Sequence, residues 1–129
     1  MLFRSVLDVL TKPTKLGFFL GGLGGGVSWH DQLNLLDVLA YGRKHWFLTP
    51  PSHARYTALS TEQWLRGANE SHLNRLREAG TLFECVQHPG DVMYLPKGWG
   101  HATFSEKVSL GATLEFVAAD ARLSLRDHT

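Results

Sequence analysis

Two short stretches hold residue types that can bind a metal. "GGGVSWHDQLN" (24–34) carries His30, Asp31 and Gln32 just past a glycine cluster, and "GWGHAT" (98–103) carries His101. Two imidazoles and one carboxylate on one face of a site leave three positions of an octahedral Fe(II) ion open for co-substrate and O₂. Alternate residues of a regular strand share a face, so His30 would pair with Gln32, while Asp31 would point the other way. A bulge at the neighbouring glycines would turn Asp31 inward. A neutral amide is the weaker ligand, and at this level the third position stays open between Asp31 and Gln32. The plain alternative for either histidine is an ordinary core or surface residue.

Other reactive residue types have no such company. His45 near a strand start, His53 in a post-proline loop, His72 on a helix face, His88 in the turn before Pro89 and His128 in the tail each read, by position, as non-catalytic. Cys85, the lone cysteine, excludes an intrachain disulfide and a Cys-rich zinc site. Flanked by strand-forming residues, it reads as a buried small hydrophobe rather than a nucleophile. The run "GGLGGG" (21–26) fits neither a dinucleotide nor a P-loop fingerprint, and no helix start follows it to receive a phosphate. It reads as a crossing between strands.

The elements that would position these residues are mostly strands. "LGFFLGG", "GVSWHDQ", "LLDVLAYG" and "KHWFLTPP" each read as a strand, the last stopped by Pro50 and Pro51. Ser60 and Gln63 fit a capping box, so "STEQWLRGA" should be a short helix, and "ESHLNRLREAG" continues helical with Gly80 as its stop. Strands then resume with "LFECVQ", "VMYLP", "HATF" and "KVSLGATLEFV", separated by the turns "HPGD" and "KGWG". About eight short strands with one helical insertion predict an all-β sandwich, barrel or jelly roll. The first ten residues, "MLFRSVLDVL", suggest an amphipathic helix, and the tail "DARLSLRDHT" should fray or form a short helix.

Composition sets the bounds. At 129 residues, 43% hydrophobic, 19% charged and net charge +1, the chain reads as one globular domain. No basic stripe appears, so direct nucleic-acid binding is not expected. No secretory signal pattern and no apolar run of roughly 20 residues suggests a membrane span. The compartment stays open between the cell interior and, for a longer parent with an upstream targeting segment, the ER lumen; oligomeric state is equally open.

The chain resembles the jumonji-C (JmjC) domain family, a branch of the cupin superfamily. "YGRKHWFLTPP" (41–51) is similar to the family's G-x-K-x-W-x-L-x-P-P segment, and "ECVQHPGDVMYLPKGWGHAT" (84–103) to its C-x-x-x-PGD-x-x-x-x-P-x-x-W-x-H-x-x segment. "FFLGGLGGGVSWH" stands where the first ligand strand should be. The ordered set covers roughly residues 17–117 and resembles most a subgroup of small members that share "YGRKxWFLxPP".

The resemblance implies a double-stranded β-helix jelly roll, here residues 1–129 as one domain without the family's usual N-terminal strands and helices. It implies Fe(II) and 2-oxoglutarate as cofactors, and hydroxylation or demethylation of a protein or peptide substrate. His30 and His101 would be iron ligands, with Gln32 or Asp31 as the third. Lys44 would hold the far carboxylate of 2-oxoglutarate, whereas read alone it is a solvated strand-edge lysine. Val27 stands where many members place a Thr or Ser. The rival expectation is a catalytically inactive JmjC module with an incomplete metal site that binds a protein partner.

Overall fold

A computed structural model describes residues 12–54 and 57–117. The helix expected over residues 1–10, the C-terminal tail and His128 lie outside the described residues. Seven strands are present among those described: β1 (Lys12–Gly21), β2 (Asn34–Tyr41), β3 (Lys44–Thr49), β4 (Phe83–Gln87), β5 (Val92–Leu95), β6 (Gly100–Ser105) and β7 (Ser109–Val117). They form two antiparallel sheets, a four-stranded one in the order β1-β7-β2-β5 and a three-stranded one in the order β4-β3-β6. Two facing sheets with connections that cross between them are the expected jelly roll. No helix of the described residues is long and apolar enough to cross a membrane.

Local sequence explains where the elements stop. β3 ends at Pro50 and Pro51, which open a single 3₁₀ turn. Helix α1 (Thr61–Gly67) starts on the expected capping box: the Ser60 side chain accepts from the Gln63 backbone, and the Gln63 side chain accepts from the Ser60 backbone. Helix α2 (Glu70–Glu78) has its own cap, Asn69, so the helical insertion is two helices rather than one. Gly80 then takes a φ of +66°, which ends α2 in the left-handed conformation.

One expected strand is absent. "GVSWHDQ" makes only an isolated bridge, between His30 and His101. The chain from Gly24 to His30 still runs beside β6 and exchanges backbone hydrogen bonds with it at Gly24, Gly25, Val27 and His30. The ladder is ragged because the Val27 amide donates to the Thr103 hydroxyl instead of a backbone carbonyl. Close approach also needs glycine: a Cβ on Gly26 would lie 1.8 Å from the Thr103 carbonyl oxygen.

The core has two parts. Trp29, Phe47, Leu73, Leu82 and Ala102 pack between the three-stranded sheet and the helices, with Trp64, Leu65 and Leu76 against them. Leu35, Trp46 and Leu95 pack between the sheets, joined by Leu48, Cys85, Met93 and Trp99. Cys85 is therefore partly buried packing, and burial raises its thiol pKa. A polar strut ties the sheets together: the Trp46 indole donates to Gln87 Oε1 at 2.9 Å, and Gln87 Nε2 donates to the backbone oxygens of Asp37 and Asp91. Trp46→Phe should cost about 1–3 kcal/mol, checked by urea unfolding, because it leaves the buried Gln87 oxygen without a donor.

Candidate metal and cofactor pocket

Strand register selects the residues that face the space between the sheets. On β3, Lys44, Trp46 and Leu48 pair with Ser105, Thr103 and His101 of β6. On β2, Leu35 and Asp37 pair with Glu115 and Thr113 of β7. Alternation sends these side chains inward, and most of them line one cavity of about 430 Å³. The ragged segment before β2 adds Val27, His30 and Gln32, and β1 adds Phe19 and Leu20.

His30 and His101 meet inside this cavity. Their rings are 4.1 Å apart, centroid to centroid, and tilted by 56°. His30 Nδ1 lies 2.7 Å from the Ser28 carbonyl oxygen, and His101 Nδ1 lies 3.4 Å from that of Trp99. A carbonyl only accepts, so each Nδ1 carries the proton, which leaves each Nε2 lone pair for a ligand bond. Carbonyl-oriented imidazoles of this kind are the usual outer support of a histidine metal ligand.

His101 is also held neutral. Burial, then repulsion from His30, pushes its pKa down to about 4, from the ordinary 6.5. Between these values the unfolded chain takes up the proton and the folded one does not. Stability of the metal-free protein should therefore fall as pH drops from 6.5 to about 4, by about 3 kcal/mol in all. Urea midpoints measured across this range should show the slope in the native sequence and lose most of it in His101→Gln.

The candidate third ligands differ in place. Gln32 lines the cavity and Asp31 does not. Among the described residues no group of three His, Cys, Asp or Glu side chains is arranged to hold a metal. The available set is two imidazole nitrogens with a nearby amide. This fits a divalent first-row ion, but without the anionic ligand that would hold it firmly.

Lys44 departs from the strand-edge expectation. β3 is the central strand of its sheet, and the lysine is 6% exposed. Its ammonium donates to Asp37 Oδ2 at 2.8 Å and lies over the rings of Phe19 and Trp46, at 4.0 and 4.5 Å from their centroids. Burial lowers the Lys44 pKa, and Asp37 opposes that shift. Asp37 was not singled out in the sequence. Its signal was there: in "LLDVLAY" it stands two residues from Leu35 and Leu39, so an acidic side chain shares the inward face with two core leucines.

The remaining described histidines stay out of the cavity. His45 stacks on Phe47 and sits between Glu84 and Glu106, within 3.4 and 3.5 Å of their carboxylates. His53, His72 and His88 make local contacts at turns and a helix surface.

A two-sheet jelly roll that gathers two imidazoles and a buried lysine around one cavity defines a cupin with the layout of a small-molecule and metal pocket. The JmjC domain pattern matches residues 14–123, and the chain belongs to the JmjC family. It is 34% identical over 107 residues to JmjC domain-containing protein 8 of Homo sapiens, a match covering 79% of this chain and 38% of that protein. It is 24% identical over 132 residues to the bifunctional arginine demethylase and lysyl-hydroxylase psr-1 of Caenorhabditis elegans, covering 88% of this chain and 32% of that one. The chain thus spans well under half the length of these relatives. Among solved structures, the fold resembles YcfD, a ribosomal oxygenase from Escherichia coli in complex with cobalt and succinic acid. That match has a TM-score of 0.59 at 20% identity and covers 96% of this chain and 28% of YcfD.

Proposed function

We propose that this chain is the JmjC domain of an Fe(II)- and 2-oxoglutarate-dependent oxygenase that hydroxylates or demethylates protein side chains. The observation that carries this reading is the convergence of His30, His101 and Lys44 on one cavity. His30 and His101 would hold the metal through Nε2, with Gln32 as a neutral third donor. Lys44 would bind the far carboxylate of the co-substrate. A ferrous ion held there would bind and activate O₂, with the reducing electrons drawn from decarboxylation of 2-oxoglutarate and from the substrate C–H bond. In the overall reaction, 2-oxoglutarate, O₂ and a substrate C–H bond become succinate, CO₂ and C–OH; one oxygen atom goes to succinate and the other to the substrate. The walls of Phe19, Leu35 and Trp46 would keep water from the reacting atoms. The names of the relatives, a demethylase and hydroxylase among them, support a protein substrate.

The second reading is a JmjC module that binds a protein partner without catalysis. It is favoured by the position of Asp31 outside the cavity lining and by the pairing of Lys44 with Asp37. Succinate release from 2-oxoglutarate in air separates the two. Release that requires Fe(II) and falls at least about a hundredfold in His101→Ala would support the oxygenase. No Fe(II)-dependent release from folded protein, with or without candidate peptides, would leave the binding module.

A further inference from the structure

The four-stranded sheet has a second face. Phe19 of β1 and Thr113 and Glu115 of β7 turn toward the cavity, so alternation turns their neighbours outward. The strand register lines these neighbours up in rows across the sheet. The middle row runs Phe18, Ala112, Val38, Val92, and the row beside it Leu16, Leu114, Leu36, Tyr94. Leu20 and Leu110 begin a third. None of these side chains is charged, and three on β1 are widely open: Phe18 is 81% exposed, Leu20 76% and Leu16 65%. At such exposures the rows present on the order of 800 Å² of apolar surface, well above the few hundred Å² that a monomer usually leaves open.

We propose that this face is an interface between two copies of the chain, stacked sheet on sheet as a two-fold dimer. Area argues for it, since one side of a standard stable interface supplies about 800 Å². Charge argues for it too. A two-fold axis sets a patch against itself, so any charge on it would meet its own kind, and these rows carry none. The same lack of charge offers a charged partner no ion pair. Shape agrees: the small Ala112 stands between Phe18 and Val38, which leaves a recess that the Phe18 ring of the facing copy can enter. Stacked sheets would keep their strands within about 30° of each other, as two sheets do inside one domain. The dimer goes beyond the oxygenase reading and forms with or without metal.

The test is sedimentation equilibrium of the purified full chain without metal. The native chain should be a dimer with a Kd in the micromolar range or below. Phe18→Lys and Val38→Lys, on different strands of the face, should each weaken it at least about a hundredfold, because a two-fold interface buries the new charge twice. Phe18→Thr keeps a strand-forming residue and should weaken it at least about tenfold. Leu23→Lys changes a leucine that is 74% exposed but lies outside the rows, and should leave the dimer intact. Circular dichroism checks that each variant has folded; should the lysine variants not fold, Phe18→Thr decides. A native chain that stays monomeric would overturn the proposal. With strong binding of an apolar dye, that monomer assigns the face to a different protein; without it, to the chain's own terminal residues. A dimer that persists in the folded face variants, or is lost equally in Leu23→Lys, would also overturn it by placing the contact elsewhere. Failure of the oxygenase reading shows separately, as no Fe(II)-dependent succinate release.

Discussion

Lys44→Met should destabilise the chain by about 3–5 kcal/mol, because it leaves the Asp37 carboxylate buried without its cation. Two features make the loss large. Asp37 already has one oxygen without a partner, and its side chain is only 1% exposed. Removing the ammonium also takes the cation from above the Phe19 and Trp46 rings. The control is Asp37→Leu with Lys44→Met. Replacing both charges by apolar groups of similar volume should recover most of the loss, since the pair as a whole gains little once both desolvation costs are counted. Guanidinium unfolding of the three proteins checks both parts. A double variant as unstable as the single one would show that the pair is worth more than this reasoning allows.

Gly26→Ala is the second large effect, on the order of 3 kcal/mol. The added Cβ would stand 1.8 Å from the Thr103 carbonyl oxygen and 2.6 Å from its carbon, and backbone cannot move aside as a flexible side chain can. The segment must lift from β6, which breaks the hydrogen bonds from the Thr103 amide to Val27 and from the Ser105 amide to Gly25. His30 lies on the same segment, bridged to His101. The variant should therefore also bind a divalent ion at least about tenfold more weakly, because the two imidazoles are no longer held together. Gly22→Ala is the matched control in the same glycine run, since a Cβ there meets nothing within 4 Å. Thermal melts of the two variants should separate them clearly.

Much of the fold was legible because it rests on local chemistry. The capping box at Ser60 and Gln63, the stops at Pro50 and Gly80, and the alternation in β2 and β3 each depend on neighbours in sequence. The strand expected over "GVSWHDQ" failed for a non-local reason. Its pairing is set by how closely glycines let it approach β6, and by the Thr103 hydroxyl that takes the place of a backbone acceptor. The same limit applies to the pocket. His30, His101 and Lys44 could be named from their motifs, but the meeting of Lys44 with Asp37 depends on two strands in different sheets. Asp37 read as one acidic residue in an apolar strand. Only the facing of the two sheets makes it the counter-ion of the lysine, and only that facing shows that the cavity contains no free cation from this pair.

The most direct measurement is an anaerobic titration of Fe(II) into the purified chain with excess 2-oxoglutarate, followed by visible absorption. Chelation of the metal by the 2-oxo acid at His30 and His101 should give a charge-transfer band that vanishes in His30→Ala and in His101→Ala. It should strengthen at a given 2-oxoglutarate concentration in Asp37→Asn, where the competing charge is gone. No band in native protein that is folded, and none in Asp37→Asn, would contradict a working Fe(II) and 2-oxoglutarate site and leave the chain as a JmjC binding module.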